Sequence, residues 1–301
     1  MAFAAGSQFL GDNTNADLHR RAAHIIDGRK IASDIISKLK VEVAALPFAP
    51  VFCDVLVGDD PVSRQYVDLK AKKAESIGIK FLRAEFPGNI STQALVEEIR
   101  KLNTADNLCG LIVQLPLPAV IARGEVLDAI DSKIDVDCIG KKRSEAFYAG
   151  DLEIVPPTAA AIMYILDSLK SDLPSKNILV VGQGELVGRP TTFLLKNRGL
   201  KVRVADINTK NPGEMMLMAD VIISAVGKPK LITGEKIKPG CVVIDAGTSE
   251  DGNAIVGDAD FGSVKNAASA LSPVPGGVGP VTVAMLLSNV VKVAKAKQNA
   301  K

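Results

Sequence analysis

From Ile25 onward, apolar runs of strand length alternate with segments of helical period, and nothing else in the chain restricts its fold as much. Such alternation is the signature of βαβ units, in which helices cover a mainly parallel sheet. Val51–Val57 reads as a buried strand ending in the turn Gly58-Asp59-Asp60-Pro61, and a helix follows over Ser63–Ile77, stopped by Gly78. Before them, Ile31, Ile35, Ile36, Leu39 and Val43 carry helical spacing. Lys80–Phe86 and Leu111–Leu115 read as further strands, Ser91 as the cap of a helix through Leu102, Val120–Ile130 as a helix and Ile134–Gly140 as a loop. After a connecting helix at Thr158–Leu169, a second series has strands at Asn177–Val181, Val202–Asp206, Val221–Val226 and Val242–Ala246. Helices are expected at Arg189–Asn197, at Glu214–Ala219 and, last, at about Val281–Ala296. The expected architecture is α/β with two domains and a cleft between them, the boundary near residues 157–161.

Composition narrows the function classes. Thirty-six Lys and Arg against 34 Asp and Glu leave a net charge of +2, without the basic stripe that a nucleic-acid partner demands. No apolar run is read as reaching the ~18–20 residues that span a bilayer, so no membrane partner is expected. Cys53, Cys109, Cys138 and Cys241 are scattered with no CxxC pair, as reduced thiols in a cytoplasmic protein would be. The two histidines, His19 and His24, lie near the N-terminus, which argues against histidine catalysis and His-rich metal sites. No metal is expected, and acid–base chemistry falls to Lys, Tyr, Asp or Glu. Residues 1–23 are small, polar and weakly patterned, and read as a disordered tail.

Several segments carry chemistry. Gly182-Gln183-Gly184-Glu185-Leu186-Val187-Gly188 follows a strand and opens a helix, where glycines let backbone N–H groups approach a pyrophosphate. Any strand-to-helix turn can also call for glycine, and the last spacing is one residue longer than GxGxxG. Asp206 ends the next strand, where dinucleotide sites place the carboxylate that accepts from ribose hydroxyls. A carboxylate ~4 Å from a 2′-phosphate is repelled by about 4 kcal/mol per charge pair at an effective dielectric of ~20, which favours NAD over NADP. The alternative is that Asp206 caps its loop and leaves Arg203 or Lys210 to reach a 2′-phosphate. Tyr66 and Lys70 share one helix face, a spacing equally natural for a plain amphipathic helix with exposed lysines. Gln114 ends a strand before Leu115-Pro116-Leu117-Pro118, at the edge where open α/β sheets bind ligands. In Asp135-Val136-Asp137 one carboxylate can face a cleft, or the loop can be merely solvated. Pro273 to Pro280 is a rigid turn of bare backbone, suited to a ligand or to a hinge.

Taken together, Ile26-Asp27-Gly28, Val57 to Pro61, Tyr66-Val67 with Lys70, Gly110 to Pro118, Asp135-Val136-Asp137, Ala225-Val226-Gly227-Lys228-Pro229, and Pro273 to Pro280 followed by Thr282 resemble the FolD family. Its members are bifunctional methylenetetrahydrofolate dehydrogenase/cyclohydrolases of one-carbon metabolism, and the resemblance runs over about residues 24 to 298. It implies a catalytic domain at 24–160 completed by a C-terminal helix at 276–298, a Rossmann domain at 161–275, and folate in the cleft. It further implies Lys70 as the central catalytic residue, supported by Tyr66 and Gln114, with Asp137 bonding the pterin. Leu115, Pro275, Gly276 and Gly277 would border the folate. Gly182, Gln183, Gly184, Glu185, Leu186, Asp206, Ala225, Val226, Gly227 and Thr248 would hold the dinucleotide, in a homodimer joined through the Rossmann domains.

Some positions depart from the family pattern. Gly182-Gln183-Gly184 stands where the family usually has Gly-Arg-Ser, whose arginine helps hold the NADP phosphate, and the next strand carries Asp206. Both changes favour NAD. Cys138-Ile139 replaces Gly-Phe, and Pro156-Pro157-Thr158-Ala159 replaces Pro-Cys-Thr-Pro, so the balance of the two activities is open. The competing readings are a dehydrogenase without cyclohydrolase, an amino-acid or shikimate dehydrogenase-like enzyme, and a non-catalytic nucleotide-sensing module.

Overall fold

The computed structural model describes residues 22–252 and 254–299. The expected tail lies mostly outside the described residues, but Ala23 is buried and its N–H donates to Lys265 O.

The first unit opens with β1 (His24–Ile25), α1 (Gly28–Ala44), β2 (Val51–Val57), α2 (Pro61–Ser76), β3 (Lys80–Phe86), α3 (Thr92–Leu102) and β4 (Leu108–Val113). Local chemistry sets several of these bounds. Asp60 caps α2 by accepting from Ser63 N at 2.7 Å while Pro61 fills its first turn, and Ser91 caps α3 by accepting from Ala94 N. Two short helices follow, α4 (Arg123–Asp128) and α5 (Lys141–Tyr148). The helix expected over Val120–Ile130 is shorter because a turn, Ile121 N to Pro118 O, precedes it. α5, rich in charged residues, carried no apolar period to mark it.

α6 (Pro157–Ser168) spans the position where the sequence placed the domain boundary. The second unit then runs β5 (Ile178–Val181), α7 (Gly188–Asn197), β6 (Val202–Ala205), α8 (Pro212–Met218), β7 (Val221–Ser224), β8 (Val242–Asp245), the hairpin β9 (Ser249–Asp251) and β10 (Ala254–Val256), α9 (Phe261–Val264) and β11 (Ala270–Leu271). α10 (Val278–Asn299) closes the chain.

Two parallel sheets result. The first has the order β3-β2-β4, the second β1-β11-β8-β7-β5-β6. Residues 24 and 25, expected in the first domain, instead form the edge strand of the second sheet, paired with Ala270 and Leu271. A two-residue strand is too short to show a period. α10 returns to the first unit, packing on α1, α6 and β4, as the resemblance implied. By length and composition α10 could cross a membrane, contrary to the expectation that no run was long enough, yet Val281, Leu287, Val290 and Ala294 are buried inside the protein.

The two units share one core. Phe147 and Tyr148 of α5 meet Phe193 of α7 edge to face, with centroids 4.9 and 5.2 Å apart. Phe147 is fully buried. Asn289 of α10 donates to Val136 O at 2.9 Å and to Val155 O at 2.8 Å, tying the last helix to the loop after β4.

Candidate active site

The site begins where β2 and β4 lie side by side under α2. Gln114, one residue past β4, is held by its own N–H donating to Val55 O at 2.8 Å. Its side-chain Nε2 donates to Leu115 O at 2.7 Å, which aims Oε1 at α2. There Lys70, only 6% exposed, donates from Nζ to Gln114 Oε1 at 2.7 Å. The same Nζ lies 2.7 Å from Oδ2 of Asp54, in the middle of β2. Tyr66 stands one turn before Lys70 and is 38% exposed, so its ring is open to a ligand.

The segment after β4 supplies the acids. Asp135 turns inward and accepts from Cys138 N and Gly140 N at 2.9 and 2.8 Å, and burial pushes its carboxyl up to about 7. Asp137 points the other way, half-buried. Burial pushes it up to about 6, with the Lys70 charge pulling down and the Asp54 charge pushing up. The segment is a turn and not the extended stretch that alternation would need, with Cys138 N donating back to Asp135 O, and it places one carboxylate in the fold and the other within the field of Lys70. Cys138, at φ 62, has its thiol pushed up to about 12 by burial and by Asp135, and is inert as a nucleophile. Among the described residues no group of three or more His, Cys, Asp or Glu could hold a metal ion.

Pro275, Gly276 and Gly277 belong to the turn that enters α10, closed by Gly277 N donating to Pro273 O at 2.8 Å. This turn lies against the start of α1 so closely that a Cβ on Gly28 would come within 1.7 Å of Gly277 O. The Ile26-Asp27-Gly28 and Pro-Gly segments are thus one contact read from two ends of the chain.

At the second sheet, β5 is followed outward by β6 and the chain then returns to β7 on the other side, so the carboxyl ends of β5 and β7 form a topological switch point. Gly182 follows β5 at φ +91, and a Cβ there would meet Ala225 O at 2.5 Å. Gly184 faces open space, and the loop leads into the N-terminus of α7, where Arg189 N donates back to Gly184 O at 3.1 Å and Pro190 has no N–H to give. These features fit a dinucleotide: bare backbone, an open approach and a helix N-terminus at the switch point. Glu185 and Leu186 are exposed on the loop, and Glu185 accepts from Arg123 Nη1 at 3.0 Å across to the first unit. Gln183 turns inward, donating to Gly182 O at 2.8 Å and Thr192 Oγ1 at 3.0 Å, so its side chain holds the loop's shape. Asp206 lies beside Gly182, whose N–H donates to Ala205 O. It is exposed, and its carboxylate accepts from Asn208 N at 2.9 Å and Thr209 Oγ1 at 3.1 Å, so it caps its turn as well as facing solvent. Val226 and Gly227 after β7 sit next to Thr248 after β8.

Three groups escaped the sequence reading. Asp54 had a signal, a lone charge in an apolar strand. Asp258 accepts from Ser224 Oγ, Val226 N and Lys228 N at 2.6, 2.8 and 2.7 Å, fixing the loop after β7. Asp245 in turn accepts from Gly247 N, Asp258 N and Ala259 N, and burial pushes it up to about 6. Nothing in the local pattern marked these two as partners.

Comparison with known proteins agrees with this arrangement. A family model described as tetrahydrofolate dehydrogenase/cyclohydrolase, catalytic domain, matches residues 26–137, and one described as the NAD(P)-binding domain of the same family matches 156–298. The "Bifunctional protein FolD" of Nitratiruptor sp. is 40% identical over 278 residues, 91% of this chain and 99% of that protein. A crystal structure of FolD from Campylobacter jejuni superposes with a TM-score of 0.88 at 37% identity, covering 92% of this chain and all of the other. A Trypanosoma brucei FolD, complexed with NADP cofactor and inhibitor, also gives 0.88, at 34% identity over 92% of this chain and 99% of that one.

Proposed function

The chain belongs to the tetrahydrofolate dehydrogenase/cyclohydrolase family, and from that premise we propose which residues carry its two activities and which dinucleotide it prefers. It is a bifunctional enzyme: it oxidises 5,10-methylenetetrahydrofolate to the 5,10-methenyl cation with NAD(P) and hydrolyses that cation to 10-formyltetrahydrofolate. The observation that carries the residue assignment is the Lys70 ammonium bonded to Gln114 Oε1 at the carboxyl end of β4, with Asp137 close by.

The bound nicotinamide supplies the acceptor for hydride from the methylene carbon. Gly182, Gly184, Glu185 and Leu186 cradle the dinucleotide, with Gln183 bracing the loop from behind. Ala225, Val226, Gly227 and Thr248 form the other wall. Tyr66, Gln114 and Leu115 line the folate side, with Pro275, Gly276 and Gly277 bordering it, and Asp137 accepts from pterin N–H groups. Lys70 acts in hydration, where a proton must leave the attacking water and another must reach N5 before its bond to carbon breaks.

NAD is the preferred cofactor, because the Asp206 carboxylate at the end of β6 accepts from ribose hydroxyls and repels a 2′-phosphate. The enzyme works as a homodimer in the cytoplasm. The exposed edge strand β6 with Val204, and four buried free thiols, support these two readings. The deciding measurement is reduced-nicotinamide absorbance with 5,10-methylenetetrahydrofolate and NAD or NADP at equal concentration. Faster turnover with NAD is expected. Faster turnover with NADP would transfer the phosphate to Arg203 or Lys210, and no turnover with either would remove the enzymatic reading.

A further inference from the structure

Asp54 is the only charged side chain in the run Val51–Val57 and is fully buried. An ionised carboxylate inside a sheet is expensive unless a partner offsets its desolvation, and an apolar pair of similar size often serves the fold as well or better. Its partner is Lys70, 2.7 Å away. Among the described residues Oδ1 has no hydrogen-bond partner, and Oδ2 has none beyond the lysine. A carboxylate placed for stability would have its oxygens satisfied. This one faces the catalytic amine and little else.

Hydration of the methenyl cation makes a demand that an ammonium cannot meet. As water attacks the carbon, one of its protons must go to a base. A proton then reaches N5 as the carbon–N5 bond breaks, and the remaining hydroxyl proton leaves as the formyl C=O forms, so cation and water give 10-formyltetrahydrofolate and one proton. Resting on the reading of Lys70 above, we propose that Asp54 is a positioning residue for this step, which takes the resting proton of Lys70 along their 2.7 Å contact and frees the amine to receive the proton of the attacking water. An ammonium–carboxylate pair becomes an amine–carboxylic acid pair, with no change in buried net charge. The proton taken from water makes Lys70 an ammonium again, which donates to N5; the reverse transfer from Asp54 then restores the resting pair, and the hydroxyl proton leaves to solvent.

The surroundings support the transfer. Burial drives the Asp54 carboxyl above the ordinary carboxylate range, while Lys70 of α2 and Arg83 of β3 pull it down. Asp137, from the loop after β4, raises the local demand for a proton, since two carboxyls face one lysine. On its own strand, the Cys53 thiol is pushed up to about 12 and stays neutral.

The test uses the full chain carrying Asp54→Asn or Asp54→Val, with hydration of the methenyl cation and hydride transfer measured in the same preparation. At neutral pH the ratio of hydration kcat to dehydrogenase kcat should fall at least about tenfold, with KM changing less than kcat. The pH profile of hydration should differ between the variants and the wild type, while the pH profile of hydride transfer should not. A wild-type ratio and pH profile in a folded variant would overturn the proposal. So would equal loss of both activities, or failure of both variants to fold, since either assigns Asp54 to the fold. Absence of turnover in the wild-type chain would instead be a failure of the enzymatic reading itself.

Discussion

Lys70 is held by two acceptors of different kinds, a neutral amide on one side and a carboxylate on the other, both at 2.7 Å. That leaves one N–H of the ammonium for the cleft. Replacing the lysine by methionine keeps much of its apolar stem and removes the proton carrier. Lys70→Met should therefore lower the cyclohydrolase rate by roughly 10²–10⁴-fold, followed as decay of the methenyl cation, and retained hydration would remove the assignment. The spacing of Tyr66 and Lys70 was legible in the sequence, and so was the placement of Gln114 at a strand end. Spacing alone could not tell a buried lysine from a solvated one, because burial depends on β2 and β4 arriving from elsewhere in the chain. Asp54 was visible as a letter out of place, but its meaning needed the third dimension. Asp206 is exposed and caps its own turn, the role that the sequence offered as its alternative.

At the level of elements, strands with strong apolar character were read well. Val51–Val57 and Lys80–Phe86 have the bounds the sequence suggested. The elements that escaped were short or polar: β1, β11, the β9–β10 hairpin, α5 and α9, whose stability comes from tertiary contact and not from local period. α5 matters more than its eight residues suggest, because Phe147 fills the junction with α7. Truncating it opens a cavity at the seam between the two units. Phe147→Ala should cost about 3–5 kcal/mol, measured by denaturant unfolding, and a loss below about 1 kcal/mol would show that the seam collapses freely.

For the whole molecule, buried acids set the response to pH. Asp135 is pushed up to about 7, and Asp137 and Asp245 to about 6, by burial. In the unfolded chain an aspartate titrates near ~3.9, so the folded chain binds more protons between those values. Stability linked to these groups is complete below ~4 and is lost as pH rises through about 6 to 7. Asp60, Asp151, Asp220 and Asp260 are held low by hydrogen bonds and act in the opposite sense, but only below the ordinary range. Tm should accordingly fall between about pH 5 and pH 8, and a rise in calorimetric scans over that interval would contradict the argument. The path of the chain carries a different consequence. Among the described residues it starts at the edge of the second sheet, builds most of the first unit, crosses to complete the second, and returns as α10 to lie on α1 and β4. During synthesis the first unit therefore waits, unfinished, until the 22 residues of α10 have left the ribosome. A polypeptide released at Gly277 should show no cooperative melting, and a fragment of that length with a sharp transition would refute this. A stop codon ahead of α10 would accordingly undo the half of the protein made before it, since the buried face of that helix, Val281 to Ala294, is what covers the first unit.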